Sequence, residues 1–290
     1  MSLYISSHQV DRDLSEEPPY IPILLESPET KLKHRVFRPD YEFSKILLDS
    51  YEIQNRNEQE LQYPLIPNGC MTLNFLLGGV MSYANICGAT TLQSELCIPP
   101  QTTAFCVRLR PDGFGSFSSS AVGDLTNRTL PMEYYLRHSA ELLTELRRGE
   151  SFHERNVILH RYLAGTGVGQ YTPMALVSRC VDLIQRSQGI AKVLELSETI
   201  GCSERYLNRI FQNHMGISPK LYCELIQLQF SLKNIMATKP KSLLNTAVAF
   251  GYFDQTHMNR SYRKFLDCTA SDMRYIGHQD ISQKEIASAL

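Results

Sequence analysis

The chain has 290 residues, 43% of them hydrophobic and 20% charged, with a net charge of −1. At roughly 150 residues per domain this is enough for about two globular domains, and the apolar content excludes wholesale disorder. No stretch approaches the roughly 18 apolar residues of a membrane span. The segment 1–19 is polar and acidic, without the basic start and apolar run of a secretory leader. A cytoplasmic protein without membrane contact is therefore expected. Eight cysteines, at 70, 87, 97, 106, 180, 202, 223 and 268, include no Cys-x-x-Cys pair and do not cluster with histidine. Buried free thiols are expected, with no metal and no cofactor.

The small net charge hides an asymmetry. Residues 1–173 hold 15 Lys and Arg against 20 Asp and Glu, a net of −5, whereas residues 174–276 hold 13 against 8, a net of +5. A mildly basic C-terminal unit favours an anionic partner such as nucleic acid.

In chain order, residues 70–79 (CMTLNFLLGG), 84–90 (ANICGAT) and 104–110 (AFCVRLR) are short, apolar and bounded by Gly or Pro, which is strand-like. Residues 132–148 place Tyr135, Leu136, Leu142, Leu143 and Leu146 at helical spacing before Gly149, and Ser151 can cap a second helix running to about Leu163. The predicted N-terminal domain, 1–164, is thus a sheet or barrel-like body followed by a helical pair. Residues 165–173 (GTGVGQYTP), with three glycines and a proline, read as a linker. Such a linker argues against rigid coupling between the halves and for a change in domain docking or dimer geometry. After it nothing resembles a strand, so the chain as a whole is α+β, with an all-α domain at 174–276 and a tail at 277–290.

Within the helical domain, a helix at about 192–200 ends at Gly201, and Ser203 is a favoured N-cap for the next. That helix shows Leu207, Ile210 and Phe211 on one face and Arg205, Asn208, Arg209 and Gln212 on the other. Gly216 closes it, and Ser218-Pro219 starts a third helix running to about Met236. Two short helices with a tight turn describe a helix-turn-helix. Fifty-one residues on, the pattern recurs: Ser203 maps to Asp254, Leu207 to Met258, Asn208 to Asn259, Arg209 to Arg260 and Phe211 to Tyr262, with Gly251 in the turn. A repeated outward Asn-Arg is hard to explain by core packing. Arginine bonds bidentately to guanine, and asparagine or glutamine to adenine, in the major groove. At about 1.5 Å per residue the helix between the motifs is somewhat under 30 Å long, comparable to the roughly 34 Å between successive groove faces.

Residues 174–276 resemble the DNA-binding domain of AraC/XylS-type transcription regulators. The resemblance is carried by Gly201, Ser203, Tyr206, Leu207, Arg209, Phe211, Gly216, Ser218, Pro219 and Tyr222. In the second half it is carried by Ala247, Gly251, Asp254, Gln255, Arg260, Lys264, Phe265 and Arg274. It implies two helix-turn-helix units joined by a long helix. The implied base-contacting positions are Arg205, Asn208 and Arg209, then Gln255, Thr256, Asn259 and Arg260, and Gln212 on the same outward face of the first unit is a further candidate for DNA contact. The chain departs from the family where Ser197 replaces a smaller residue, Gln227 an Arg, Met258 and Tyr262 a Phe, Asp267 a Gly and Ala270 a Pro. The run VRLRPDGFGSF (107–117), followed by DLTNRTLP (124–131), is similar to a sensor-type domain found ahead of such DNA-binding domains.

The expected function is a bacterial, sequence-specific, DNA-binding transcription regulator and not an enzyme. Its expected partners are double-stranded DNA, a small-molecule effector, a second copy of the chain and, if it activates, RNA polymerase. Arg108 and Arg110, two apart on a strand and so on one face, are candidates for binding an anionic effector, against an ion pair with nearby carboxylates as the plainer reading. Two alternatives stay open. One is an enzyme fused to a DNA-binding module, for which Cys106 beside Arg108 is the one nucleophile worth testing. The other is a DNA-binding protein controlled by a protein partner with no small ligand.

Overall fold

A computed structural model describes residues 20, 22–24, 35–39, 43–78, 82–113, 125–165 and 175–276. The N-terminal part contains β1 (Arg35–Phe37), β2 (Leu47–Asn55), β3 (Leu61–Leu65), β4 (Thr72–Gly78), β5 (Tyr83–Cys87), β6 (Ser94–Ile98), β7 (Thr102–Leu109) and β8 (Thr129–Pro131). Helices α1 (Ser139–Arg148) and α2 (Phe152–Gly165) follow. Six strands pair antiparallel in the order β1-β2-β7-β4-β5-β8, and β3 pairs with β6 as a separate two-stranded sheet.

Alternation along the central strand β7 sorts its side chains. Phe105, Val107 and Leu109 join Leu73, Phe75 and Ile86 against Leu142, Leu146, Leu159 and Leu163 of the helical pair. Ala104 and Cys106 join Tyr51, Ile53 and Leu76 against Leu61, Tyr63 and Ile98 of the small sheet. The large sheet is therefore the middle layer of three.

The strand-like runs at 70–79, 84–90 and 104–110 overlap β4, β5 and β7, with residue 79 outside the described residues. The helix expected over 132–148 is shorter. Met132–Tyr134 form a 3₁₀ turn, His138 takes a left-handed conformation (φ 57°), and α1 starts only at Ser139. The Tyr162 hydroxyl donates to the Arg137 carbonyl, which holds the chain out of the helix at that point. Gly165 belongs to α2, while the rest of the expected linker, 166–173, and the tail 277–290 lie outside the described residues.

Strand β2 carries three consecutive-face surprises: Asp49, Ser50 and Glu52 are all buried. Each has a partner. Arg108, opposite Asp49 in the register, forks onto its carboxylate, with Nε donating to Oδ1 at 2.7 Å. Its guanidinium also lies 5.1 Å from the Tyr51 ring centroid and donates to the Pro22 carbonyl. Glu52 pairs with Arg155 of α2 at 2.6 Å, and the Ser50 hydroxyl donates to Asn156. Arg110 lies just beyond β7 and bridges Asp112 (3.2 Å) and Asp182 (3.3 Å). The reading of Arg108 and Arg110 as an anion-binding pair is thus corrected: Arg108 is 2% exposed and committed to Asp49, and Arg110 is shared between two carboxylates.

The C-terminal part is helical: α3 (Ala175–Arg186), α4 (Val193–Ile200), α5 (Glu204–Met215), α6 (Pro219–Thr238), α7 (Leu243–Ala249), α8 (Gln255–Leu266) and α9 (Ala270–Ile276). Its core is gathered on α6. The buried positions of that helix include Tyr222, Cys223, Leu225, Ile226, Leu228, Gln229, Ser231, Leu232 and Ile235. At about 100° per residue these run right round the helix.

One side of α6 is covered by the N-terminal part. Gly69 has φ +69°, and a Cβ there would stand 3.0 Å from the Tyr222 ring. Tyr20, Ile66 and Ala89 enter the same core, and the Tyr20 and Phe230 rings lie 5.9 Å apart. The Gln229 carboxamide, 1% exposed, closes the seam: its Nε2 donates to the Pro67 carbonyl at 2.7 Å and its Oε1 accepts from the Ile23 amide at 2.9 Å. Thr126 Oγ1 donates to the Gly216 carbonyl at the end of α5 (2.9 Å), and Arg110 reaches Asp182 of α3.

Asp49→Ala strands the Arg108 charge in the protein interior and should cost about 3–5 kcal/mol of stability in urea unfolding. Gln229→Leu leaves the Pro67 carbonyl and the Ile23 amide without their partner. It should cost about 1–3 kcal/mol and split calorimetric unfolding into separate transitions for the two parts.

Candidate nucleic-acid interface

Both predicted helix-turn-helix units form. In the first, α4 ends in a Gly201 cap (φ 79°) whose following amide, Cys202 N–H, returns to the Ser197 carbonyl at 3.0 Å. This is the wrap of a Schellman turn, which only a left-handed residue allows without strain. Ser203 then caps α5 by accepting from the Tyr206 amide at 3.2 Å. Leu207, Ile210, Phe211 and Met215 bury one face of α5. Gly216 ends it, and Ser218 with Pro219 starts α6 as expected.

In the second unit Asp254 caps α8 through the His257 amide at 2.6 Å, and Met258, Tyr262, Phe265 and Leu266 form the buried face. The family departures have local accommodations. The extra hydroxyl of Tyr262 is 3.1 Å from Ser231 Oγ of α6, so a buried phenol is not left without a partner. Gln227 Nε2 donates to the Phe250 carbonyl at 2.8 Å, tying α6 to the second turn. Asp267 adopts the left-handed conformation (φ 53°) at the end of α8, where glycine carries no penalty. Ala270 is the first residue of α9, the position that favours proline. Ser197 is buried and donates to the Leu194 carbonyl at 2.8 Å.

On α5 the structure places Arg205, Asn208, Arg209 and Gln212 together on the exposed side. The Arg209 guanidinium lies 5.1 Å from the Tyr206 ring centroid, which orients it along the helix surface. Asn208 Nδ2 donates back to the Glu204 carbonyl (2.9 Å), and Gln212 Nε2 to the Gly216 carbonyl (2.7 Å). Arg205 stands nearest the N-terminus of α5, the part of a recognition helix that meets base edges.

The second surface differs. Thr256 and Arg260 are exposed, but Gln255 and Asn259 are half-buried on the flank. Asn259 Oδ1 accepts from the Ala270 amide at 3.1 Å, so this side chain caps α9. Asn259, expected to reach adenine like its counterpart Asn208, is thereby engaged in the fold. Sequence reasoning missed Phe253, which is 88% exposed just before α8. Its apolar character next to a cap was the available signal. Helix α6, which joins the two units, has 20 residues and is about 30 Å long.

Nothing around Cys106 activates it: the residue is fully buried, and burial pushes its thiol up to about 12. No group of three or more metal-ligating side chains is found among the described residues. No helix among them is long and apolar enough to cross a membrane.

Residues 196–275 match the family model described as a helix-turn-helix domain, and residues 36–131 match a domain of unknown function, DUF6597. No curated protein matches the chain. Among solved structures, the C-terminal domain of AraT, a response regulator from Geobacillus stearothermophilus, is similar at 20% identity. That match covers 38% of this chain and 90% of that one, with a TM-score of 0.34. ToxT from Vibrio cholerae O395 is similar at 12% identity, covering 84% and 97%, with a TM-score of 0.38. Unsaturated fatty acid-bound wild-type ToxT is similar at 8% identity, covering 79% and 94%, with a TM-score of 0.40. At such scores these likenesses carry no argument beyond the family matches.

Asn259→Ala should cost about 1 kcal/mol of stability, the usual worth of a helix cap. Asn208→Ala, on an exposed face, should fall within about 0.5 kcal/mol of wild type; paired urea titrations compare them.

Proposed function

We propose that this chain, whose C-terminal third is an AraC-type helix-turn-helix domain, is a sequence-specific DNA-binding regulator of transcription. The observation that carries the reading is the pair of capped helices, α5 and α8, both packed on α6, whose length of about 30 Å is comparable to the roughly 34 Å groove repeat. Arg205 is the leading candidate for base readout, with Asn208, Arg209 and Gln212 around it. Thr256, Arg260 and Gln255 serve in the second unit, where Arg209 and its counterpart Arg260 also suit phosphate positioning.

Control is proposed to act through the seam. The N-terminal part touches α6 at its midpoint through Gln229, the end of α5 through Thr126, and α3 through Arg110. An effector or partner that favours the docked or undocked arrangement would change how the two recognition helices are presented, and can do so only through unequal affinity for the two. A small molecule bound by the N-terminal part is one such input, and homodimerisation is another. Contact with RNA polymerase belongs to the same reading if the protein activates. The setting is the cytoplasm, with an N-terminal domain that ends with α2 at Gly165, a linker at 166–173, the DNA-binding domain at 174–276 and a tail at 277–290.

The test is fluorescence anisotropy of the full chain on duplexes selected from a random pool, with scrambled controls and a salt titration. Tight binding to selected sequences with a steep salt slope is expected. Arg205→Ala should weaken the selected site by about 1–3 kcal/mol and relax one position of it. Equal binding to selected and scrambled duplexes would sink the reading.

A further inference from the structure

The 51-residue repeat allows the two reading surfaces to be compared position by position. Arg205 in the first unit stands where Thr256 stands in the second, and Cys202 where Phe253 stands. The first surface is basic and amide-rich. The second has lost the arginine at the helix start, and its asparagine is taken up in capping α9. What it offers instead is apolar. Phe253 is the most exposed large hydrophobic side chain among the described residues, at 88%, against 72% for Tyr134 and 61% for Val248. Thr256, three residues on and exposed, adds a methyl group.

Phe253 is also held in place. The turn before α8 spans residues 250–254, two residues longer than the 201–203 turn before α5, and Phe253 directly precedes the Asp254 cap as Cys202 precedes Ser203. Its amide donates to His257 Nδ1 at 3.2 Å, the His257 ring stands edge-on to the buried Tyr252 ring at 5.5 Å, and Asp254 caps the helix directly behind it. A rigid backbone therefore projects an aromatic ring into solvent at the N-terminal end of a recognition helix. A lone exposed apolar residue is ordinary on a protein surface; one pinned at the leading edge of a DNA-reading helix is continuous with that interface.

From these observations we infer that the second helix-turn-helix reads thymine, with Phe253 and the Thr256 methyl packing against thymine 5-methyl groups in the major groove. The first unit reads by hydrogen bonds and the second by apolar contact, so the two half-sites differ in base chemistry. The inference rests on the DNA-binding reading above.

The test replaces the thymines of the selected duplex one at a time by deoxyuridine, which removes only the 5-methyl group. Guanines of the other half-site are replaced by 7-deazaguanine as a reference. The wild-type full chain should lose about fourfold in affinity at one or two thymines of a single half-site, the worth of one buried methyl. Phe253→Ala, an exposed change, should bind the parent duplex correspondingly more weakly and show no uracil penalty. A flat uracil scan alongside an intact deazaguanine penalty overturns the inference and leaves the DNA-binding reading standing. A uracil penalty that persists in Phe253→Ala removes Phe253 from the readout. Unchanged DNA affinity with lost transcription in vitro would assign the ring to a protein contact instead, and no selected sequence at all would fell both readings.

Discussion

Helix α6 is packed on nearly every side, with exposure confined to Lys220, Lys233, Ala237 and Thr238. Its neighbours fix where everything else can go. The first recognition helix packs through Phe211 near Tyr222, the second through Tyr262 near Ser231, and the N-terminal part through Gly69 and Pro67. Moving α6 relative to any one of these exposes apolar surface shared with the other two. The two recognition helices are consequently not independent modules on a string but two attachments to one rod that the N-terminal part also grips.

Polar groups inside this packing are few, and most are paired, the Tyr20 hydroxyl being an exception. Ser231 meets Tyr262, Gln185 meets Tyr222, and Gln229 reaches across the seam. In the N-terminal part the ion pairs Asp49–Arg108 and Glu52–Arg155 tie β2 to the central strand and to α2. Buried pairs of this kind contribute little net stability compared with apolar residues of the same volume, but they penalise any register in which one charge loses its mate. They fix β2 in place where hydrophobic alternation alone would not.

That same strand marks the limit of what the sequence discloses. LLDSYEIQN has two carboxylates and a serine where a core strand should show apolar side chains, and only the partners on β7 and α2, more than fifty residues away, make it an interior strand. Strand β3 was masked by Pro64 and β6 by Ser94 and Glu95. By contrast, the helical domain was legible nearly to the residue. Its punctuation is local: Gly201, Ser203, Gly216, Ser218-Pro219 and Asp254 each act on the turn they sit in. The exposed polar face of α5 followed from the same periodicity. The face of α8 did not follow fully, because the capping role of Asn259 depends on a helix eleven residues downstream, and because repeat logic carries residue types forward without their contacts. The docking seam left no trace in the sequence, since Gln229 and Gly69 acquire their meaning only from each other's surroundings.

The tight fit at Gly69 has a genetic corollary. A methyl group at that position points into the Tyr222 ring from a backbone geometry that side chains disfavour, so accommodating it strains the loop and presses on the seam between the two halves of the chain. An allele encoding alanine there would leave the exposed side chains of α5 and α8 intact and load the seam alone, so under the proposed control through that seam its response to an input would be lost. Signal-blind alleles should therefore map to a short loop far in sequence from the DNA-binding domain, and suppressors of them to the aromatic ring it faces.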